Sequence, residues 1–185
     1  DLIKIKDGNS FIRYQKGAIS LFNQAIKQYG KPDMVLFNSS IWSGAALCQT
    51  LSNNKIPFII SEHLKEFLIP NGFSVFNRNL IQEAYSLCFK VIPTSSTLKN
   101  SITKNFKIDD NKITLIPNPV DESIFTLKPI LKRKSSISIT IVALFRKEKN
   151  IDIMINAFNK ILKSGINANL NIIGDGPLKS KIKNQ

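Results

Sequence analysis

Residues that commonly bind transition metals are scarce in this chain. The 185 residues include one histidine, His63, and two cysteines, Cys48 and Cys88, which lie far apart in apolar surroundings without a Cys-x-x-Cys spacing. A zinc site built from histidine and cysteine is therefore not expected, and we assign no metal ligand. We expect both cysteines to be free, buried thiols.

Long apolar segments and a secretion signal are also missing. The longest apolar run, 137–145, is interrupted by Ser138 and Thr140. It falls well short of the roughly 20 residues that cross a bilayer. The first residues, 1–4, contain neither an initiating Met nor an apolar signal core. We therefore expect a fragment of a longer protein.

Acidic residues are few compared with basic ones. The chain has 26 Lys and Arg against 13 Asp and Glu, a net charge of +13. Such a charge fits a nucleic acid or an anionic membrane as partner. Apart from 128–134, however, the lysines are spread along the chain, and no aromatic stacking platform for bases is visible. Two explanations stay open: drift in an AT-rich genome, or a basic face for anionic lipid or phosphorylated sugars. No specific nucleic acid partner is expected.

The chain does contain alternating helix and strand patterns. Apolar residues recur at helical spacing over 11–29, with Ser10 as the expected cap and Gly30 as the stop. The continuous apolar run 34–37 predicts a strand buried on both faces. Further strands are predicted at 56–60, 89–92, 112–116, 137–144 and 169–173, and further helices at 43–51, 73–87, after 95, at 151–163 and from 177. This alternation predicts an α/β fold with parallel sheets flanked by helices.

A break in this pattern marks a domain crossing. Between 121 and 136 the chain carries the basic cluster 132–134 and has prolines nearby, at 119 and 129. The sequence therefore predicts one domain over 1–120 and a second over 121–185.

Residues that follow the strands are the candidates for a site, because parallel sheets bind ligands beyond the carboxyl ends of their strands. A histidine side chain is able to exchange a proton or bond a phosphate, and His63 is a candidate for this chemistry unless it only fixes its own loop. Lys149 precedes a helix start that favours anions such as a diphosphate, or it is simply a solvated charge. Asn150 is predicted to cap that helix. Ser95 or Ser96 is expected to cap the helix that follows, and an acceptor contact by Ser95 is the second interpretation.

The turn Gly174-Asp175-Gly176 follows the last predicted strand. Its glycines permit a tight backbone turn, and Pro177 suits the first position of a helix. The third glycine of the dinucleotide fingerprint is missing, so a purely structural turn is one open interpretation.

Five segments, taken in order, resemble glycosyltransferase family 4. They are PFIISEH at 57–63, VIPTSSTLK at 91–99, IPNPVD at 116–121 with Phe125, VALFRKEKNID at 142–152 and IIGDGPL at 172–178. The resemblance implies the GT-B architecture, in which two Rossmann-like domains carry the acceptor and the nucleotide-sugar. It implies sugar transfer with retention, no metal and no cofactor, the donor being a substrate such as a UDP- or GDP-sugar. It also implies a glycan or lipid-linked acceptor, a role in cell-surface polysaccharide synthesis, and a cytoplasmic location with peripheral contact at an anionic membrane.

The resemblance also assigns domains and residues. Residues 1–120 match the later part of the N-terminal, acceptor-side domain, and 121–185 match the first half of a truncated donor domain. His63 matches the catalytic histidine of the cleft, and Lys149 matches the lysine that binds the donor diphosphate. The remaining assignments are Gly174, Asp175 and Gly176 near the nucleotide, and Glu62, Ser95 and Asn118 on the acceptor side or in the cleft.

Several positions depart from the family pattern. The usual Gly-Arg pair is Ala143-Leu144 here, so Arg146 is the candidate substitute for the missing arginine, and Asn150 stands where glycine is common. The glycine-rich loop after the family's first strand is absent, and the glutamate pair that grips the donor is expected beyond Gln185. The chain alone is therefore predicted to be inactive.

Three alternatives stay open. A sugar-nucleotide epimerase shares the GT-B plan, although the IPNPVD loop and the Lys-Asn helix start disfavour it. A non-catalytic basic module would bind a membrane surface or nucleic acid. A short protein that has lost its catalytic half is the third.

Overall fold

The computed structural model describes residues 8–126 and 136–184. The chain forms two compact units, divided between Asp121 and Glu122. The basic cluster at 128–134 and the N-terminal residues 1–4 lie outside the described residues, so their predicted roles stay predictions.

The first unit contains three parallel strands in the order β1-β2-β3. Its elements are α1 Gly8–Tyr29, β1 Val35–Phe37, a π-helical turn Ser40–Gly44, α2 Ala45–Asn53, β2 Phe58–Glu62, a 3-10 turn Lys65–Leu68, α3 Val75–Leu87, β3 Lys90–Pro93, α4 Ser96–Asn105 and a 3-10 turn Asp110–Lys112. In β2 every second side chain is buried, beginning with Phe58 and Ile60. This face packs into the unit's core together with side chains of α2 and α3, such as Leu51 and Tyr85.

The second unit is smaller and has one parallel pair of strands. It comprises β4 Ile137–Val142, a 3-10 turn Lys147–Lys149, α5 Ile151–Lys163, β5 Ala168–Ile173 and α6 Lys179–Lys183. Strand β4 pairs with β5 over their whole length, from Ile137 opposite Ala168 to Val142 opposite Ile173. Both units therefore confirm the predicted α/β fold with parallel sheets and helices.

Three local predictions are wrong. The run 34–37 is not buried on both faces: β1 is an edge of the described sheet, and Leu36 is 60% exposed. Ser10 is not the cap of α1, because the helix already includes Gly8 and its first turn is packed by Phe11 against Phe76. The predicted strand at 112–116 is reduced to one bridge between Ile113 and Val91, since Lys112 ends a 3-10 turn.

Within the described residues, no helix combines the length and the apolar character needed to span a bilayer.

The structure confirms the prediction that both cysteines are free, buried thiols, and their burial gives a first test of the packing. Cys48 and Cys88 are 0% and 2% exposed, and burial raises the pKa of each thiol to about 11. Because the thiolate is the reactive form, we expect neither cysteine to react with Ellman's reagent at neutral pH until the protein unfolds. Reaction measured across a urea titration should follow the loss of helical circular dichroism, with Cys48→Ala and Cys88→Ala separating the two sites. Rapid labelling in the absence of urea would contradict the packing described.

Candidate functional site

His63 lies exposed directly after β2, at the carboxyl edge of the first sheet. Its Nε2 is 2.8 Å from Ser61 Oγ, a hydrogen bond whose direction depends on the tautomer of the ring. Among the described residues, Nδ1 has no hydrogen-bond partner, so one ring nitrogen is fixed and the other is available. The loop after β3 is tied to the same edge, because Thr94 Oγ1 donates to the backbone oxygen of Glu62 over 3.3 Å.

Two further candidates stand at this edge. Ser95 caps α4, as its first interpretation predicted: its Oγ accepts a hydrogen bond from Leu98 N over 3.1 Å. Asn118 is exposed two residues beyond Ile116, whose N–H donates to the backbone oxygen of Pro93 at the end of β3. The polar groups of His63, Ser95 and Asn118 thus follow neighbouring parallel segments.

Glu62 does not belong to this exposed group, which corrects its expected place in contact with an acceptor or the cleft. Strand alternation turns it to the same side as Phe58 and Ile60, and it is 0% exposed. Its Oε1 accepts hydrogen bonds from Ser40 N over 3.0 Å and from the Tyr85 hydroxyl over 2.9 Å. Burial raises the pKa of Glu62, and these hydrogen bonds partly oppose that rise.

Ser40 and Tyr85 are residues that the sequence analysis missed. Tyr85 occupied an apolar position in a helical pattern, which gave no sign of a polar role. Ser40 was detectable, because it follows β1 in the way that His63 follows β2.

In the second unit, the loops that leave β4 and β5 are joined by hydrogen bonds. Phe145 N donates to the backbone oxygen of Asp175 over 2.8 Å, and Leu178 N donates to that of Phe145 over 3.0 Å. The two loops therefore form one surface at the carboxyl edge of the sheet, and they carry both the candidate cations and the glycine turn.

The glycines of this turn are required by close approach of the two loops. A Cβ on Gly174 would lie 1.9 Å from the backbone oxygen of Ala143, and one on Gly176 would lie 2.8 Å from that of Phe145. Both residues have positive φ, at 155° and 150°. Asp175 stabilises the turn itself, because its Oδ1 accepts from Gly176 N and its Oδ2 pairs with Lys179 Nζ, both over 2.7 Å. These hydrogen bonds, that from Lys179 first, lower the pKa of Asp175.

Lys149 is exposed and ends the 3-10 turn that leads into α5. It borders a cavity of about 310 Å³ whose other lining residues are Ile141, Asn150, Ile151, Ile153, Met154 and Ala157. Arg146 is exposed at the start of the same turn. Within the described residues, neither cationic side chain has a hydrogen-bond or ion-pair partner.

The predicted side-chain cap by Asn150 is wrong. Asn150 has φ 50° and ψ 39°, and its side chain makes no capping hydrogen bond to α5. The left-handed conformation turns the chain from the 3-10 turn into the helix, and asparagine tolerates it better than most residues do. The position that commonly holds glycine in family 4 thus keeps a glycine-like backbone.

Acidic and metal-binding side chains do not gather at either edge. In the ranges 8–126 and 136–184, no three His, Cys, Asp or Glu residues lie close enough together to hold a metal ion.

Solved glycosyltransferases share this fold. The chain superposes on the lipopolysaccharide outer core galactosyltransferase WaaB with a TM-score of 0.57 and 21% identity, over 95% of this chain and 45% of that one. It superposes on HepE of Anabaena, solved in complex with UDP, with a TM-score of 0.59 and 11% identity, over 85% and 51% of the two chains. The fold is therefore of the GT-B type.

Sequence comparison defines the family. The family described as Glycosyltransferase Family 4 matches residues 6–124, and the chain belongs to that family. An uncharacterised glycosyltransferase of Methanocaldococcus jannaschii is 32% identical over 142 residues, 76% of this chain but 35% of that protein. The O-antigen chain mannosyltransferase RfbU of Salmonella typhimurium is 34% identical over 67 residues, 35% of this chain and 19% of its own length. The matched regions thus span about a third or less of these relatives.

Close approach at the glycine turn gives the second test. Gly174→Ala should weaken the joined loops by about 1–3 kcal/mol, because the backbone must shift to relieve the contact with Ala143. Native-state hydrogen exchange of the β4 and β5 amides should report the loss. Gly17→Ala is the control, since nothing lies within 4 Å of its added Cβ on α1. Unchanged exchange in Gly174→Ala would refute the close approach.

Proposed function

We propose that this chain is part of a retaining glycosyltransferase that transfers a sugar from a nucleotide-sugar to a glycan or lipid-linked acceptor. Family membership supports transferase chemistry. The observation that carries the donor assignment is the surface at the edge of β4 and β5, where Lys149 and Arg146 lie on a loop bonded to the glycine turn. The names of relatives support a role in cell-surface polysaccharide synthesis, because WaaB and RfbU act on lipopolysaccharide and O-antigen.

The donor diphosphate is bound by positive charge at the start of α5. The first N–H groups of a helix lack intrahelical acceptors, and the helix dipole adds partial positive charge there. Lys149 adds a full charge directly before the 13-residue α5. Charge that develops on the leaving nucleoside diphosphate is stabilised by these groups, without a metal and without a cofactor. HepE, which binds UDP and UDP-glucose, supports a uridine nucleotide as the first probe.

His63 is proposed to act at the acceptor-side edge, by which we mean the carboxyl edge of the first sheet, where His63, Ser95 and Asn118 follow the strands. Its Nε2 is held by Ser61, which fixes the ring, while Nδ1 is free among the described residues to meet the sugar or exchange a proton. Ser95 and Asn118 are proposed as acceptor contacts at the same edge. The hydroxyl of Ser95 already caps α4, so its capacity for a further contact is as a donor.

Peripheral contact with an anionic membrane, on the cytoplasmic face, is the second proposal for this chain. The net charge of +13 supports it. So does the loop after β2, where Leu68 and Ile69 are each 49% exposed beside the exposed Lys65. Apolar side chains next to lysine suit insertion at a headgroup layer that carries negative charge.

Donor binding is tested with Lys149→Met. We expect the affinity for UDP-glucose or a GDP-sugar to fall about ten- to a hundredfold, because a hydrogen bond to a charged group contributes roughly 1.5–3 kcal/mol. Isothermal titration of the purified chain measures it. Lys163→Met is the matched control, at the opposite end of α5. Equal binding by Lys149→Met and the unsubstituted chain, or no nucleotide binding at all, would contradict the donor assignment.

Membrane contact is tested by co-sedimentation with vesicles. We expect binding to phosphatidylglycerol-containing vesicles, weak binding to pure phosphatidylcholine, and a several-fold loss with Leu68→Asp and Ile69→Asp combined. Leu21→Asp is the control, because Leu21 is 68% exposed and belongs to a different element, α1. Equal binding to both vesicles would contradict the proposal. RNA binding that falls steeply with salt would instead support the nucleic acid alternative.

A further inference from the structure

In the described part of the first unit, two polar side-chain atoms are buried without a hydrogen-bond partner: Ser40 Oγ and Glu62 Oε2. Both residues are 0% exposed. The other oxygen of the same carboxyl group, Glu62 Oε1, already accepts from Ser40 N and from the Tyr85 hydroxyl. Buried polar atoms are rarely left unpaired, so the two atoms require an explanation.

The surroundings of the carboxyl group favour its neutral form. Within the described residues, no lysine or arginine lies within ion-pair distance of Glu62, and a buried charge without a partner is strongly unfavourable. The groups that face it from α3 and its end are themselves neutral: burial raises the pKa of Tyr85 well above its usual value and that of Cys88 to about 11. Lys112 donates to the backbone oxygens of Tyr85 and Ser86 and not to the carboxyl group.

If Glu62 is a neutral acid, its one carboxyl proton gives both unpaired atoms a hydrogen-bond partner. The Ser40 hydroxyl adjoins the Glu62 carboxyl group: as a donor to a carboxylate it lowers the pKa of that group, whereas as an acceptor from the acid it stabilises the neutral form. A carboxylic acid carries one O–H donor, and a serine hydroxyl has free acceptor capacity. Rotation of the acid proton towards Ser40 Oγ therefore satisfies Glu62 Oε2 and Ser40 Oγ together.

We propose that Glu62 is a neutral carboxylic acid that donates from Oε2 to Ser40 Oγ and thereby acts as the positioning residue for His63. One residue then joins four segments of the acceptor-side edge. Its acid group binds the turn after β1 and helix α3, its backbone continues β2, and its carbonyl accepts from Thr94 after β3. His63 is the next residue, so its backbone is fixed by all four. The role of His63 in transfer rests on the proposed function.

The protonation state is tested by infrared spectroscopy of the purified chain. At neutral pH we expect a carbonyl band of a protonated carboxylic acid that is lost in Glu62→Gln. Glu66→Gln, four residues further along the chain, is the control and should keep the band. Absence of the band from the unsubstituted chain would overturn the proposal.

The pH dependence of stability gives a second readout. The pKa of Glu62 is raised in the folded chain above its usual value of 4.5, so unfolding releases the proton at any pH between the pKa values of the unfolded and folded chain. The free energy of unfolding should therefore fall as pH rises above 4.5, relative to Glu62→Gln, which carries no ionisable group there. Urea titrations over a pH series measure this difference. An unfolding free energy of the unsubstituted chain that does not fall with pH relative to that of Glu62→Gln would overturn the neutral acid.

Positioning is tested by nitrogen NMR of the imidazole, since the chain contains 1 histidine. We expect Glu62→Ala to shift the His63 ring resonances and Glu62→Gln to restore them, because the amide keeps one acceptor and one donor. If Glu62→Ala fails to fold, Tyr85→Phe removes one hydrogen bond and should give a smaller shift. Unshifted resonances in a folded variant would reduce Glu62 to a structural role and overturn the positioning. None of these measurements needs a nucleotide, so their failure is separate from failure of donor binding.

Discussion

Parallel pairing of the strands is the constraint on which the rest of the structure depends. Strands β1, β2 and β3 run parallel in one unit, and β4 and β5 do so in the other. Parallel neighbours need a crossover that returns the chain to the opposite edge, and α2, α3 and α5 supply it. Every loop that leaves a strand at its carboxyl end therefore reaches the same edge of its sheet. Polar residues that are distant in sequence meet there without any specific attraction between them.

Strand geometry also explains why neighbouring residues at the end of β2 have opposite environments. Successive side chains of a strand point to opposite faces. Glu62 therefore continues the buried row of Phe58 and Ile60, whereas His63, just past the strand, is exposed. Placing a carboxyl group in the core is costly, and hydrogen bonds from Ser40 and Tyr85 offset part of that cost. The hydrogen bonds that join the segments at this edge and the burial of an acid have the same structural origin.

Periodic patterns allowed most elements to be predicted from the sequence, but not the environment of single residues. Helix α5 has the predicted bounds, Ile151–Lys163, because its apolar face repeats without interruption. The exposure of Leu36 and the burial of Glu62 depend on which elements pack against them, and local sequence carries no such information. The hydrogen bond between Ser61 and His63 could not be predicted either, because strand alternation alone does not fix the rotamers that bring the two side chains together.

The positions of the candidate site residues were predictable, because they follow strands. The contacts and backbone conformations that constrain these residues were not predictable. The sequence indicated a turn at Gly174. The close approach of the Ala143 carbonyl could not be predicted, because it depends on the pairing of two loops that are distant in sequence. Asn150 shows the reverse case. Its residue type suggested a cap, and its backbone instead adopts the left-handed conformation that glycine commonly supplies.

The same loop bears on the arginine that family 4 would place at position 144. Leu144 and Arg146 are exposed, and Phe145 between them is buried at 5% exposure. Arg146 N donates to the backbone oxygen of Leu144 over 2.8 Å, a three-residue γ-turn that bends the chain at Phe145. The alternation of an extended strand therefore does not apply here, and strand geometry does not hold Arg146 on the side of Leu144. A cation at 146 differs from one at 144 in both its attachment point and its backbone setting, so Arg146 is a proposed substitute on a different geometry.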